Sequence, residues 1–231
     1  MNDKETRDGC IVLYGMTSPE ALLIDREVMR ERMPGRLEKA ERIRHENGRR
    51  LSLAAGWLML SVLGLKNEIE LKYMEKGKPY APGYPPFNLS HSGDMAVMAV
   101  LENGTSHPAA DMIPGIRLIH AGLPVRSVSS VGVDAEQIRE RSLGVTKRAF
   151  TENERAWLEQ AAGREERMAR FMQIWTLKEA VMKADGRGLG MDPASFDVLG
   201  LKDGLPLKTG DCEWYAASLE YEGYLIGVCW G

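Results

Sequence analysis

One predicted helix carries residues that could do chemistry. In the run WTLKEAVMKADGRGLG, from Trp175 to Gly190, Glu179 and Lys183 stand four residues apart and therefore share one edge of the helix. Lys178 falls inside the apolar stripe, where an ammonium is costly unless its stem is buried and its head reaches a partner. Glu179 and Lys183 could therefore act on a ligand. The alternative is an ordinary surface ion pair, which has the same spacing.

A second chemical pattern is the pair of carboxylates in the predicted strand from Val131 to Ile138 (VGVDAEQI). Asp134 and Glu136 are two residues apart and project from the same face of the strand. Two neighbouring carboxylates repel each other unless a cation lies between them. Such an oxygen-rich site suits Mg²⁺, which commonly takes one or two carboxylates and completes its octahedron with water and substrate phosphate.

Regular elements must position these residues. The apolar stripe of the central helix consists of Phe171, Ile174, Leu177 and Val181, and Gly186 ends the helix. Patterns elsewhere predict strands at 9–15, 69–74, 131–138, 196–199, 214–219 and 224–230, two strands around 90–93, and helices at 20–32, 36–63 and 150–162. Thr151 and Glu154 form a capping box at the start of the last helix. Whether Glu154 is only a cap or also functional is left open.

Composition places the chain among globular proteins that do not cross a membrane. It has 231 residues, of which 44% are hydrophobic and 27% charged, and no apolar run approaches the roughly 20 residues of a membrane span. Three scattered cysteines predict reduced thiols in a cytoplasmic protein. The net charge of -3 argues against general nucleic-acid affinity.

The N-terminal part is locally basic. Residues 26–50 hold nine Lys or Arg against five Glu, a net charge of +4 in a chain of -3. This asymmetry indicates an anionic partner. The alternative is a solvated helical face with interleaved i, i+4 ion pairs.

The chain divides into three segments. We expect an N-terminal half at 1–102, an insertion at 103–130, and a C-terminal half at 131–231 that carries the metal and catalytic residues. The insertion contains three prolines and no sustained periodicity, together with a few apolar residues that would be costly to leave in water. We therefore predict a partly ordered flap that packs on the body or on a second copy.

Five motifs in order resemble one family, the 4′-phosphopantetheinyl transferases of the larger, surfactin-synthetase-associated type. They are GKP (77–79), FNLSHSG (87–93), GVDAE (132–136), FTENE (150–154) and WTLKEAVMKADGRGLG (175–190). The resemblance covers roughly residues 36–200. It implies an α+β fold of two similar halves related by a pseudo-twofold axis, each a small antiparallel sheet packed with a long helix, in a monomer.

The resemblance also implies an activity. Such enzymes transfer the phosphopantetheine arm of coenzyme A to a serine of an apo acyl or peptidyl carrier protein and release 3′,5′-bisphosphoadenosine. By this resemblance Asp134, Glu136 and Glu179 hold Mg²⁺, and Lys183 stabilises the departing phosphate. Glu179 is then the base for the carrier serine, either directly or through a metal-bound water. The residues implied to bind coenzyme A are Lys39, Arg50, Lys78, Ser90, His91, Lys178 and Lys183, with His91 also counted as catalytic.

Two other functions compete with this prediction. One is a coenzyme A or nucleotide binding module without transferase activity, against which the complete carboxylate set argues. The other is a Mg²⁺-dependent phosphohydrolase of coenzyme A, although the sequence offers no reason why water should outcompete a serine. Which carrier protein is served is not encoded in any of these motifs.

Overall fold

The computed structural model describes residues 7–103, 112–140 and 142–231. The chain forms two compact units, Met1–Val128 and Ser129–Gly231. Each unit contains an antiparallel sheet and a long helix, so the predicted α+β class is confirmed. In the described part of the chain, no helix is long and apolar enough to cross a membrane.

The first unit is built on a four-stranded sheet in the order β4-β5-β1-β6. Its helices are α1 (Arg26–Arg32), α2 (Pro34–Glu41) and α3 (Glu46–Leu63), and its strands are β1 (Arg7–Thr17), β2 (Lys72–Tyr73), β3 (Pro79–Tyr80), β4 (Phe87–Ser92), β5 (Met95–Glu102) and β6 (Arg117–Val128). The apolar side of α3 packs on β1 and β5, with Leu58 and Met59 fully buried.

The second unit repeats this plan with a sheet in the order β7-β10-β9-β8. Its helices are α4 (Thr146–Ala149), α5 (Glu152–Glu159), α6 (Arg164–Asp185) and α7 (Leu199–Lys202), and its strands are β7 (Val131–Gln137), β8 (Leu207–Thr209), β9 (Cys212–Tyr221) and β10 (Tyr224–Trp230). Helix α6 packs across β7 and β10, and all four residues of the predicted apolar stripe are buried. Gly186 ends α6 in the left-handed conformation, as predicted.

The two units share one chain order. In each, a first strand (β1 or β7) precedes a long helix (α3 or α6), and a hairpin follows (β4–β5 or β9–β10). The second strand of each hairpin then pairs with the first strand of its unit. The halves are therefore similar in topology, with β6 and β8 as additional edge strands.

Two glycines allow α6 to approach its sheet at backbone distance. A Cβ on Gly132 of β7 would lie 2.1 Å from the carbonyl oxygen of Ala180, and one on Gly227 of β10 would lie 2.7 Å from that of Thr176. Neither distance is possible for a real Cβ atom, so only glycine fits at these positions. Because these two glycines have no side chains, the edge of α6 lies close to β7.

Residues 112–128 differ from the loop-like pattern of their sequence. Twelve of them form β6, which pairs with β1 and buries Val125 and Val128. Irregular register along β1 and a positive φ at Ser127 explain why no strict alternation is visible in the sequence. Residues 104–111 of the predicted flap lie outside the described residues.

Smaller differences concern short elements. The helix predicted at 20–32 is a 3₁₀ turn followed by α1, because Asp25 caps a new helix by accepting from two backbone N–H groups. The strand predicted at 69–74 is reduced to β2. The strand predicted at 196–199 is absent, since its end begins the short helix α7.

The close approach of α6 predicts that Gly132→Ala destabilises the second unit. The new methyl group must displace helix backbone, so we expect a loss of at least about 3 kcal/mol in the free energy of unfolding, the upper end for overpacked cores. Chemical denaturation of the purified chain measures it. The matched control is Gly144→Ala, where the nearest atom to the new Cβ is a side-chain oxygen at 3.4 Å. Equal stability of the two variants would contradict the packing argument.

Candidate active site

The carboxylate of Asp134 faces helix α6. Asp134 lies directly opposite Gly227 in the β7–β10 ladder, and residues in direct opposition project from the same face of a sheet. Position 227 faces the backbone of α6 at Thr176. The Asp134 side chain, on the same face of the sheet, therefore also projects toward α6. Lys183 of α6 binds Asp134 directly. Its Nζ donates to Oδ1 of Asp134 at 2.7 Å and to the carbonyl of Val133 at 3.1 Å.

Glu179 joins this group from one helical turn before Lys183. Burial raises the pKa of Glu179, and the Asp134 carboxylate raises it further. The Lys183 ammonium acts in the opposite direction, while Glu136 adds to the rise. Lys183 therefore contacts Asp134 directly, whereas Glu136 and Glu179 are connected to this pair by their electrostatic influence.

The three carboxylates are chemically suitable ligands for the predicted Mg²⁺, but their arrangement in this structure is not that of a metal site. Carboxylate oxygens are the ligands that Mg²⁺ prefers, and the mutual repulsion of three of them favours a bound cation. Within the ranges 7–103, 112–140 and 142–231, however, no three His, Cys, Asp or Glu side chains form a group that could hold a metal ion. The ligand set therefore stays a prediction.

Lys178 lies on the other side of α6, where it is almost completely buried. Its side chain is 1% exposed and that of Glu154 is 0% exposed, with 2.9 Å between Nζ and Oε2. The same Nζ also donates to the carbonyls of Pro193 at 2.7 Å and Phe196 at 2.6 Å. Burial lowers the pKa of Lys178, although the Glu154 carboxylate acts against this shift.

This environment favours a structural role for Lys178 over the predicted binding of phosphate. An ammonium has three N–H donors, and these three partners use all of them. A buried ammonium needs polar partners. For Lys178 these are one carboxylate and two backbone carbonyls inside the second unit. A role in positioning α6 fits the contacts better than one in binding coenzyme A.

Glu154 is both the predicted helix cap and the counter-ion of Lys178. Its Oε2 accepts from the backbone of Thr151 at 2.8 Å to complete the capping box. Its Oε1 accepts from the backbone of Val198 at 2.9 Å, and the Thr151 hydroxyl donates to Asp197 at 2.7 Å. The start of α5, the middle of α6 and the 193–198 segment are thereby joined. The sequence offered two signs of this network, the capping box and an ionisable residue in an apolar stripe.

The predicted coenzyme A ligands of the first unit lie on separate elements. Lys39 on α2 is exposed, whereas Arg50 near the start of α3 pairs with Glu46. Lys78 lies in the turn before β3. On β4, Ser90 is buried and His91 is exposed.

One contact links two of these elements. The side-chain amide of Asn47, at the start of α3, donates to the carbonyl of Gly93 at 2.8 Å. Asn47 is three residues before Arg50, and Gly93 is two residues after His91. The turn that follows His91 and the start of α3 are therefore neighbours in the first unit.

The basic segment contains the ion pairs of the solvated-face alternative. Arg30 pairs with Glu27 and Arg42 with Glu38, both on exposed helical surface. These pairs account for some of the positive charge. They do not account for Lys39, which stays a candidate for binding an anion.

Comparison with known proteins identifies the family. Residues 130–229 match the model of the 4′-phosphopantetheinyl transferase superfamily. The 4′-phosphopantetheinyl transferase AcpT of Salmonella typhimurium is 30% identical over 177 residues, which cover 74% of this chain and 75% of that protein. The chain belongs to the 4′-phosphopantetheinyl transferase family. It is an enzyme, as the five motifs predicted.

Other relatives agree with the larger type. The 4′-phosphopantetheinyl transferase Sfp of Bacillus subtilis is 29% identical over 209 residues, covering 85% of this transferase and 80% of that protein. The 4′-phosphopantetheinyl transferase gsp of Aneurinibacillus migulanus is 30% identical over 60% of this chain and 47% of its own length. A solved holo-[acyl-carrier-protein] synthase of Thermotoga maritima matches 45% of this chain and 62% of its own, with a TM-score of 0.33 and 18% identity.

The buried network predicts that Lys178→Met destabilises the transferase. Removing one partner leaves the Glu154 carboxylate buried without its counter-ion, which typically costs about 3–5 kcal/mol. Chemical denaturation measures this loss. The control Lys208→Met removes an exposed lysine that lies 3.8 Å from Glu213, and we expect little change. Full stability of Lys178→Met together with lost coenzyme A binding would restore the phosphate-binding role.

Proposed function

We propose that this transferase moves the 4′-phosphopantetheine arm of coenzyme A to a serine of an apo acyl or peptidyl carrier protein and releases 3′,5′-bisphosphoadenosine. The observation that carries the proposal is the ion pair of Lys183 with Asp134, whose charges, with that of Glu136, act on the buried Glu179. Relatives that share most of this chain are named as transferases of the same arm.

The proposal includes Mg²⁺ held by Asp134, Glu136 and Glu179. A bound Mg²⁺ would neutralise negative charge on the diphosphate while the phosphoryl group moves. The donor chemistry supports this set, since the carboxylates of β7 and α6 already influence one another electrostatically. That the three carboxylates would bind the metal together is part of the proposal.

Glu179 is the proposed general base. Burial raises the pKa of Glu179 in the metal-free chain, and a carboxylate within hydrogen-bond reach of the carrier serine could take its proton. The carrier serine gives its proton to Glu179, and its oxygen forms the new bond to the phosphorus that carries the pantetheine arm. The bond that breaks joins this phosphorus to the bridging oxygen, which leaves on the bisphosphoadenosine.

Lys183 is the proposed ligand of the departing phosphate. Its side chain is 29% exposed, so the ammonium is accessible from solvent at the edge of α6. A charge-assisted hydrogen bond to a phosphate oxygen is stronger than a neutral one and stabilises charge that grows on the leaving group.

The first unit supplies the proposed ligands of the nucleotide part of coenzyme A. Lys39, Arg50 and Lys78 would contact the 3′-phosphate or the adenine surroundings, with Ser90 nearby, while His91 would bind a phosphate oxygen. Cationic side chains on a segment of net charge +4 support this assignment. Lys178 is reassigned to holding α6 in place.

The proposal extends to the organisation of the molecule. Because β6 belongs to the sheet of the first unit, we assign residues 112–128 of the predicted insertion to the N-terminal half, and we propose a monomer in the cytoplasm. The three free cysteines are consistent with a reducing compartment.

Glu179→Gln tests the reaction and the base together. The amide keeps size and helix propensity but cannot accept the serine proton, so we expect turnover to fall by about 10²- to 10⁴-fold. With wild type, intact-protein mass spectrometry should show a gain of about 340 Da on an apo carrier in the presence of coenzyme A and Mg²⁺, the mass of one arm. Calorimetry should show coenzyme A binding that is less affected than turnover.

The matched control is Glu165→Gln, an exposed glutamate in the first turn of the same helix. It should transfer at the wild-type rate. Coenzyme A binding by wild type without any mass gain on a panel of carriers would favour a binding module. Release of free phosphopantetheine without a carrier would favour hydrolysis.

A further inference from the structure

The hydroxyl of Ser130 joins the strand that carries Asp134 to the helix that carries Lys183. Ser130 lies directly before β7 and is buried. Its Oγ donates to the carbonyl oxygen of Ala184, in the last turn of α6, at 2.5 Å. The last four carbonyls of an α-helix have no N–H partner within the helix. Ser130 therefore supplies a donor to one of them from outside the helix.

The backbone of Ser130 is fixed by the second sheet. Its N–H donates to the carbonyl oxygen of Gly231 at 2.9 Å, and the N–H of Gly231 donates to the carbonyl oxygen of Ser130 at 3.3 Å. This exchange follows the pair Val131–Trp230 and so continues the β7–β10 ladder by one pair. A serine hydroxyl is separated from the backbone by a single side-chain torsion, so its oxygen has few positions to choose from. Ser130 can therefore hold the end of α6 in one place.

Ser130 shares its side of the sheet with two residues that also meet α6. Side chains at alternate positions of a strand project to the same side, so Ser130, Gly132 and Asp134 all face the helix. A Cβ on Gly132 would lie 2.4 Å from the backbone nitrogen of Ala184. Asp134 accepts a hydrogen bond from Lys183 at 2.7 Å. Gly132 permits the close approach but has no side chain to hold it, whereas the hydroxyl of Ser130 forms a bond across the same contact.

Lys183 depends on this bond because its own side chain is long. The ammonium ends a flexible four-carbon stem and is 29% exposed. Helix ends fray, and Lys183 lies in the last turn of α6, next to Ala184. Fraying of this turn would move the base of the stem and carry the ammonium away from Asp134. A bond to the carbonyl of Ala184 opposes that movement.

We propose that Ser130 is a positioning residue: its hydroxyl fixes the last turn of α6 and thereby keeps the Lys183 ammonium beside Asp134, in place for the departing phosphate. The proposal rests on the proposed function, which assigns Lys183 to that phosphate. In Ser130→Ala the carbonyl of Ala184 loses this buried donor, and a carbonyl without its donor is more stable in water. The turn then opens more readily. Ser130 acts through Lys183 and not on the substrate itself.

Backbone dynamics of the full chain without ligand test the first step. In Ser130→Ala we expect the NMR order parameters of residues 183–186 to fall from about 0.85, the value of rigid backbone, toward the flexible range below about 0.6. Residues 174–181 should keep their wild-type values, because α6 packs there on β7 and β10. The matched control is Ser129→Ala, since the neighbouring hydroxyl donates to the carbonyl of Gly231 at 3.1 Å instead of to α6. It should leave both segments unchanged.

A double-mutant cycle tests the second step, the action through Lys183. Ser130→Ala should lower the kcat of arm transfer about 10-fold, on the order of one lost hydrogen bond, with little change in the KM for coenzyme A. In Lys183→Met the same change should have almost no further effect, because the group that Ser130 positions is gone. A purely structural role would lower turnover by the same factor in both backgrounds. Ser130→Thr keeps the hydroxyl and should restore transfer.

The possible failures are distinguishable. Wild-type order parameters at residues 183–186 in Ser130→Ala overturn the proposal, and so does an equal loss of turnover in both backgrounds. If Lys183→Met has no measurable turnover, the order parameters and the rescue by Ser130→Thr decide. If Ser130→Ala does not fold, Ser130→Cys, whose thiol is only a weak donor, takes its place with the same expectation. Absence of arm transfer by wild type refutes the proposed function instead, and the order parameters then decide whether Ser130 fixes the turn.

Discussion

The backbone-to-backbone contact between α6 and its sheet is the constraint on which the candidate site depends. Without side chains at Gly132 and Gly227, the helix lies close enough for residues on its edge to reach β7. Lys183 then meets Asp134 directly, and Glu179 comes under the influence of both carboxylates of the strand. A helix held farther away by ordinary side chains would leave the same residues on two separate surfaces.

The opposite side of α6 is fixed by polar rather than apolar contacts. Lys178 and Glu154 form a buried ion pair whose remaining hydrogen-bonding capacity is used by backbone groups. A buried pair of this kind is costly to form, and its value lies in geometry more than in stability. Since Lys178 and Glu179 are adjacent in sequence, fixing one limits how far the helix can rotate and carry the other away from β7.

Sequence reasoning predicted the features that local patterns determine. The apolar stripe of α6, the capping box at Thr151 and the positions of the acidic residues follow from periodicity, capping chemistry and motif order. It could not predict β6, whose pairing with β1 depends on a partner about a hundred residues away and on bulges that disguise the alternation. Nor could it decide whether Lys178 meets a ligand phosphate or Glu154, because that choice depends on how three segments of the second unit pack together.

The pairing of β7 with β10 determines both the second sheet and the position of the candidate site. Seven consecutive pairs fix the register, from Val131–Trp230 to Gln137–Tyr224. A slip of one residue would turn both carboxylates onto the face where Val133 and Ala135 are now buried, at a high desolvation cost. A sheet with the wrong register would therefore be less stable, so the packing that stabilises the second unit also selects the register in which the candidate site is assembled.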